Sequence, residues 1–160
     1  ASFIDQNLVE QLLACTRHHG VAPASLCLEV TETALMENLD LATSRLIELR
    51  AAGFRISLDD FGTGYSSLNY LKRFPVDQIK IDRSFVSDIT SDDQDAAIVA
   101  AIVTLASKFG LELVAEGTET LAQVEKLRDL GCTVAQGYYF ARPMPAEQLG
   151  SLLASAGKLP

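Results

Sequence analysis

Two adjacent aspartates stand where a hydrophobic run meets a glycine-rich stretch. In RISLDDFGTGYSSL, residues 55–68, Asp59 and Asp60 follow apolar residues and precede Gly62 and Gly64. An isolated Asp-Asp pair commonly ends a strand and caps the next turn, because its carboxylates accept hydrogen bonds from backbone N–H groups. The stretch lacks the lysine and the spacing of a nucleotide-binding P-loop. Its chemistry therefore depends on the groups that the fold places beside the two carboxylates.

Polar side chains recur at the carboxyl ends of the other predicted strands. Glu29 lies near the end of the first, Lys80 at the end of the third, Glu116 just after the fourth, and Gln136 at the end of the fifth. Taken singly, each is an ordinary surface or strand-end residue. Gathered together, the carboxylates would repel one another, and divalent cations would relieve that repulsion. Oxygen ligands favour Mg²⁺, Mn²⁺ or Ca²⁺ over zinc, and paired hard cations suit in-line attack on a phosphodiester.

The elements that must position these groups alternate along the chain. Short apolar runs predict strands at residues 26–30, 54–58, 77–81, 111–115 and 132–136. Helical spacing predicts helices at residues 3–20, 39–52, 66–73, 94–109 and 121–130, and a last one from Pro145. This alternation indicates right-handed βαβ units and a parallel sheet, either open and doubly wound or part of a (β/α)8 barrel. A polar group at every strand end favours the barrel, whose strand ends converge on one face, whereas an open sheet concentrates its site near a switch point.

Composition limits the classes of function. The 160 residues are 48% hydrophobic and 21% charged, which predicts a soluble globular protein, and the net charge of −8 argues against a partner such as DNA or an RNA polymer. Cys15, Cys27 and Cys132 form no Cys-x-x-Cys pair, so we expect neither a disulfide framework nor a zinc ribbon, and a cytoplasmic location. The apolar run at residues 96–106 is too short to span a membrane, and the first residues do not form a signal peptide.

Five segments together carry a resemblance to a known family. LEVTE, DDFGTGYSSL, IKIDRSF, AEGTET and QGYYFARPMP occur in this order from residue 26 onward. This series resembles the EAL-domain family, the bacterial phosphodiesterases of cyclic di-GMP. The resemblance implies an α/β fold of the TIM-like (β/α)8 type and a site with two Mg²⁺ or Mn²⁺ ions that hydrolyses cyclic di-GMP to linear pGpG. Since Ca²⁺ accepts looser oxygen geometry than Mg²⁺, we expect it to inhibit.

The resemblance also implies a role for each matching residue. Glu29, Asp59 and Asp60 would be metal ligands, with Asp59 as the bridge between the two ions. Lys80 would hold the attacking water, and Glu116 would act as a ligand and general base. Supporting and substrate-contacting residues would be Glu32, Glu119, Gln136, Phe140 and Pro143. A regulatory loop that links ligand binding to dimerisation, anchored by Glu32, would contain Gly62, Thr63, Gly64, Tyr65, Ser66 and Ser67.

Part of the family pattern has no counterpart in this chain. The Glu-Ala-Leu motif and an Asn ligand would precede Ala1, and five strands are predicted where a complete barrel has about eight. Residues 1–160 are therefore expected to be the C-terminal two-thirds of an EAL domain, inactive alone. The expected partners are cyclic di-GMP, a second copy in a homodimer, and GGDEF or sensory domains in a longer chain that upstream segments could anchor to a membrane. A non-catalytic cyclic di-GMP receptor and a protein-interaction module remain alternatives.

Overall fold

Five parallel strands form one sheet in the order β1-β2-β3-β4-β5. The structure is a computed structural model that describes residues 5–62 and 71–155. The strands are β1 (Cys27–Thr31), β2 (Arg55–Phe61), β3 (Gln78–Ile81), β4 (Glu112–Glu116) and β5 (Val134–Gln136). The helices are α1 (Leu8–His19), α2 (Glu32–Met36), α3 (Leu39–Ala51), α4 (Arg83–Ser87), α5 (Asp93–Phe109), α6 (Leu121–Asp129) and α7 (Ala146–Ser155), and a 3-10 turn covers Pro23–Ser25. Consecutive parallel strands joined through helices are the arrangement of an incomplete (β/α) barrel.

The longer helices end where the sequence predicts. Gly20 and Gly110 adopt the left-handed conformation just after α1 and α5, a region that glycine enters without steric penalty. At the other ends, the side chains of Asn38 and Asp92 accept hydrogen bonds from the first turns of α3 and α5. Most of the predicted helix at residues 66–73 lies outside the described residues.

Two short helices were not predicted. Each has five residues, too few for a helical repeat to be recognised. Helix α2 directly follows β1, and α4 follows β3 after Asp82. Thr31 Oγ1 accepts a hydrogen bond from the Ala34 N–H at the start of α2, and Asp82 Oδ1 accepts one from the Ser84 N–H at the start of α4. Both helices thus begin with a side-chain cap immediately beyond a strand end.

The strand register divides the side chains between two faces of the sheet. Side chains alternate along a strand, and parallel partners that are paired in register share a face. One face is apolar and packs into the helix-covered core; it carries Leu28, Val30, Ile56, Leu58, Ile79, Ile81, Leu113, Ala115 and Ala135. The opposite face, called here the inner face, is largely polar and carries Cys27, Glu29, Thr31, Arg55, Ser57, Asp59, Gln78, Lys80, Glu112, Val114, Glu116, Val134 and Gln136.

Burial of the apolar face fixes the direction of the polar one. Ile56 and Ile79 are fully buried and belong to the same core cluster as Leu46 of α3 and Val99 of α5. Full burial of one such side chain contributes about 1.5–3 kcal/mol, so a one-residue slip that exchanged the faces would be strongly unfavourable. The hydrophobic effect therefore holds the inner-face carboxylates in register with one another.

None of the helices in the described ranges is both long enough and apolar enough to cross a membrane. The apolar run at residues 96–106 lies within α5, where Val99 and Ile102 are buried against the sheet.

Candidate active site

The ammonium of Lys80, on β3, contacts carboxylates from three other strands. Its Nζ lies 2.8 Å from Glu29 Oε1 of β1, 3.5 Å from Asp59 Oδ1 of β2, and 2.5 Å from Glu116 Oε1 of β4. The Lys80 side chain is 5% exposed, Asp59 and Glu116 are 20% exposed, and Glu29 is half exposed. Three carboxylates thus surround one ammonium, and the cluster keeps an excess of negative charge.

Lys80 is held in its charged form by these neighbours. Burial acting alone would lower the pKa of Lys80, because it penalises the charged amine. Hydrogen bonds to Glu116 and Glu29 and the nearby charge of Asp59 outweigh burial and raise the pKa above its ordinary value. At neutral pH Lys80 is therefore a hydrogen-bond donor and not a base.

A β-bulge presents the adjacent aspartates at the end of β2. Leu58 pairs with Ile79 and Phe61 with Ile81, so β2 has one residue more than β3 between these pairs. Asp60 has φ +56°, in the left-handed region that few residues other than Gly, Asn and Asp adopt. β2 therefore extends to Phe61, beyond the predicted end at residue 58, so the two aspartates lie within the strand and not after it.

Asp82, which the sequence analysis did not assign, borders the same cluster. Burial raises the pKa of the Asp60 carboxyl, and the negative charges of Asp59 and Asp82 raise it further against the opposing charge of Lys80. For Asp82 itself, burial also acts upward, but hydrogen bonds from Ser84 and the neighbouring backbone lower its pKa. Asp82 directly follows β3, so the rule that selected Glu116 at a strand end would have found it.

The segment after β4 forms one wall of a small cleft. A cavity of about 220 Å³ is lined by Arg83, Glu116, Glu119, Gln136 and neighbouring backbone. The structure thus brings Glu119 and Gln136 beside Glu116, and their supporting role stays a prediction. The Thr118 N–H donates to the Gln136 carbonyl at 3.2 Å, which ties the ends of β4 and β5 together.

Phe140 and Pro143 line a second, larger and more open cavity of about 660 Å³. Its lining is mainly apolar and includes Tyr138, whose ring lies 4.7 Å from the Arg142 guanidinium carbon. Gln136 lines both cavities, so the two are adjacent. The carboxylate cluster borders the smaller cavity, and the larger one offers apolar and aromatic surface beside it.

Of the residues predicted to form or anchor the regulatory loop, only Glu32 and Gly62 lie within the described residues. Glu32 is 6% exposed at the start of α2. Gly62 has φ +100° and packs next to the Phe85 ring. A Cβ added at Gly62 would lie 3.0 Å from Phe85 Cε2, so this position favours glycine for both reasons. Thr63, Gly64, Tyr65, Ser66 and Ser67 lie outside the described residues.

The donor set of the cluster fits hard divalent cations. All candidate ligands present oxygen atoms, and three carboxylates around one ammonium leave a negative charge that cations would neutralise. Across residues 5–62 and 71–155, no three His, Cys, Asp or Glu side chains converge closely enough to hold an ion. In the arrangement described, the Lys80 ammonium lies among the carboxylates instead.

Comparison with known proteins identifies the family. The family described as "EAL domain" matches residues 1–143. The chain belongs to the EAL domain family. It is 50% identical over 147 residues to the bifunctional diguanylate cyclase/cyclic di-GMP phosphodiesterase MucR of Pseudomonas aeruginosa, covering 92% of this chain and 22% of MucR. It is 46% identical over 147 residues to the cyclic di-GMP phosphodiesterase NbdA of the same species, covering 92% of this chain and 19% of NbdA.

Solved structures confirm the fold of this EAL domain chain. The MucR phosphodiesterase in complex with cyclic di-GMP superimposes with a TM-score of 0.88 at 49% identity, covering 92% of this chain and 60% of that one. Klebsiella pneumoniae BlrP1 in a manganese and cyclic di-GMP complex gives a TM-score of 0.82 at 38% identity, covering 87% of this chain and 36% of BlrP1. The chain therefore spans about a fifth of the curated relatives and 60% of the MucR phosphodiesterase structure.

Proposed function

We propose that the EAL domain to which this chain belongs hydrolyses cyclic di-GMP to linear pGpG with Mg²⁺ or Mn²⁺. The observation that carries the proposal is the contact of Lys80 with carboxylates from β1, β2 and β4 at the carboxyl ends of parallel strands. The names of MucR and NbdA, both cyclic di-GMP phosphodiesterases, support the same substrate. We further propose that residues 1–160 are the C-terminal part of the domain; their coverage of 60% of the MucR structure supports a partial domain.

Glu29, Asp59, Asp60 and Glu116 would hold the cations. When bound, two divalent cations would lower the pKa of the attacking water and stabilise charge on the phosphoryl oxygens. The charged Lys80 would donate a hydrogen bond to that water and orient it. Glu116, in contact with Lys80, would accept the proton that the water loses.

The neighbouring cavities suit the rest of the substrate. Glu119 and Gln136 line the cleft beside Glu116 and would orient ligands or waters there. Phe140 and Pro143 line the adjoining apolar cavity and would contact a guanine base. Glu32 would anchor the regulatory loop that contains Gly62, and through that loop couple the site to a homodimer interface.

The test compares the full-length protein with the 160-residue chain. Full-length protein should convert cyclic di-GMP to the linear dinucleotide with Mg²⁺ or Mn²⁺, measured by chromatography of the products. The 160-residue chain should be inactive or nearly so, because ligands expected from the preceding strands are missing. Substrate binding without turnover in the full-length protein under either metal would favour a cyclic di-GMP receptor. Absence of both binding and turnover would favour an interaction module.

Ca²⁺ should inhibit the Mg²⁺-dependent reaction. Ca²⁺ occupies oxygen sites with more ligands and looser geometry than Mg²⁺, so it should displace the activating ion without supporting turnover. BlrP1 has been crystallised in a manganese and cyclic di-GMP complex and, separately, in a calcium and cyclic di-GMP complex, which supports binding of either ion by a relative. Undiminished turnover with Ca²⁺ alone would contradict the site assignment.

We also propose that the full-length protein works in the cytoplasm and carries further GGDEF or sensory domains. The bifunctional cyclase and phosphodiesterase name of MucR supports the presence of a further domain. Fractionation of cells that express the tagged full-length protein would test the location, and assay of the same protein for synthesis of cyclic di-GMP would test for a GGDEF domain.

A further inference from the structure

Gln123 makes more contacts than the start of a helix requires. Its side chain is 7% exposed at the beginning of α6. Its Oε1 accepts hydrogen bonds from the Glu119 N–H at 2.8 Å and the Thr120 N–H at 2.9 Å. Its own N–H donates to Thr120 Oγ1 at 3.3 Å, which completes a capping box. The capping box accounts for the bonds to Thr120 but not for the rest of the amide.

The other end of the Gln123 amide leaves α6 and reaches α4. Its Nε2 donates to the Ser87 carbonyl at 3.0 Å. Ser87 is the last residue of α4, where carbonyl groups lack partners within the helix. One buried side chain therefore joins the segment after β3 to the segment after β4.

A second contact holds the same two segments together. Gly117 has φ +72°, and a Cβ added there would lie 2.5 Å from Arg83 Cβ. The segment after β4 therefore packs directly against the start of α4 at Gly117 and is bonded to the end of α4 through Gln123. Lys80 lies in β3 and Asp82 immediately precedes α4, while Glu116 and Glu119 lie on either side of Gly117.

We propose that Gln123 is a positioning residue that holds the segment after β3, which carries Asp82, against the segment after β4, which carries Glu119, at the edge of the site. The inference rests on the phosphodiesterase function proposed above. The ladder between β3 and β4 ends at the Ile81–Ala115 pair, so beyond it the placement of Asp82 relative to Glu116 and Glu119 depends on how the segments after the two strands pack together. Loss of the Gln123 bridge leaves the Ser87 carbonyl and two N–H groups without this partner and frees the segments to separate.

Two variants of the full-length protein separate the bridge from the cap. Gln123→Glu keeps an oxygen for the Glu119 and Thr120 N–H groups but replaces the donor to Ser87 with a second oxygen. Gln123→Met keeps the approximate volume and removes all three side-chain bonds. Gln94→Glu is the matched control, because Gln94 is exposed on α5 and undergoes the same chemical change.

The readouts are kcat, KM, Mn²⁺ affinity by electron paramagnetic resonance, and the unfolding temperature. We expect Gln123→Glu and Gln123→Met to lower kcat by about 10 to 100-fold and to weaken Mn²⁺ binding by about tenfold, with KM changed by less than about threefold. Gln94→Glu should stay within about twofold of wild type in each quantity. Deficits should persist well below the unfolding temperature, which a loss of folded protein cannot explain.

Wild-type kcat and Mn²⁺ affinity in both Gln123 variants, with a lower unfolding temperature alone, would reduce Gln123 to a structural cap and overturn the inference. The same holds if kcat falls only in proportion to the unfolded fraction. Failure of the proposed function is distinguishable, because wild-type protein would then show no turnover of cyclic di-GMP.

Discussion

Gly137→Ala should separate the ends of β4 and β5, because no space exists for one methyl group. A Cβ added at Gly137 would lie 2.1 Å from the Thr118 carbonyl oxygen and 2.3 Å from the Thr118 nitrogen. Both are backbone atoms, so no side-chain rotation relieves the overlap. Cβ atoms essentially never approach other heavy atoms within 3.0 Å, so the two segments must move apart by about 0.9 Å at least.

The displacement sets the magnitude of the effect. The Thr118 N–H donates to the Gln136 carbonyl at 3.2 Å, and the Tyr139 N–H donates to the Thr118 carbonyl at 3.0 Å. Moving the segments apart by this amount would stretch both bonds to about 4 Å, beyond hydrogen-bond range. Two lost hydrogen bonds at about 1 kcal/mol each, with overpacking of about 1–3 kcal/mol, predict a loss of about 3–5 kcal/mol in the free energy of unfolding.

Gly150→Ala is the matched control for this experiment. Gly150 lies within α7 with no heavy atom within 4 Å of an added Cβ. Because alanine favours a helix over glycine by up to about 1 kcal/mol, this variant should equal or exceed wild type in stability. Urea denaturation followed by circular dichroism gives both free energies, provided that the denaturant slope is unchanged.

The catalytic readout follows from the same displacement. Gln136 and Glu119 line the cleft beside Glu116, so Gly137→Ala should also lower kcat of the full-length protein at temperatures where it remains folded. A Gly137→Ala variant with a free energy of unfolding within about 0.5 kcal/mol of wild type would refute the reasoning. It would show that the segments move apart without losing the contacts described.

Three further perturbations probe the charges of the inner face. Lys80→Met removes the ammonium that contacts three carboxylates and should destabilise the metal-free protein by about 2–4 kcal/mol, which is less than for a fully buried pair because Glu29 is half exposed. Added Mn²⁺ should recover part of this loss, and equal unfolding temperatures of variant and wild type without metal would show that the Lys80 contacts do not stabilise the fold. Asp60→Asn keeps a residue type that tolerates φ +56° and removes a carboxyl group whose pKa is raised by burial and by Asp59, so it should stabilise the metal-free protein while weakening Mn²⁺ binding in a calorimetric titration. Asp60→Ala should be less stable than Asp60→Asn by about 1 kcal/mol, and the reverse order would argue against the strained backbone. The hydrogen bond from Arg55 lowers the pKa of Glu112, so the stabilisation from this ion pair is present above the unfolded pKa of about 4.3 and is lost as pH falls through the lower folded value. Because both groups are about half exposed, Glu112→Gln should lower the free energy of unfolding by only about 0.5 kcal/mol at pH 7, and a stability difference from wild type that persists at pH 2 would exclude the ion pair as its source.

Much of the site was predictable because local patterns and one topological rule were sufficient. Alternating strands and helices indicated parallel strands, and parallel strands bring their carboxyl ends to one edge. This rule placed Glu29, Asp59, Lys80 and Glu116 together, and the Lys80 contacts confirm that the residues meet. The same rule applied to the residue after β3 would have included Asp82.

Other features could not be predicted because they depend on contacts between distant segments. The bulge that places Asp60 at φ +56° arises from pairing of β2 with β3, since an aspartate tolerates the left-handed region but does not by itself specify it. Gln123 and Ser87 are 36 residues apart, so their hydrogen bond exists only after α4 and α6 have packed beside the sheet.

The sequence by itself determined the order of the strands and longer helices, the parallel sheet and most of the carboxylates, because hydrophobic periodicity and helix-end signals act within a few residues. The tertiary structure alone decided which atom of each carboxylate contacts Lys80, how Gly137 packs on Thr118, and how α4 is joined to the segment after β4. These relations follow from close packing, in which shifts of less than 1 Å decide between contact and overlap. Periodicity determines which face a side chain occupies, whereas only the packed chain fixes its position to that precision.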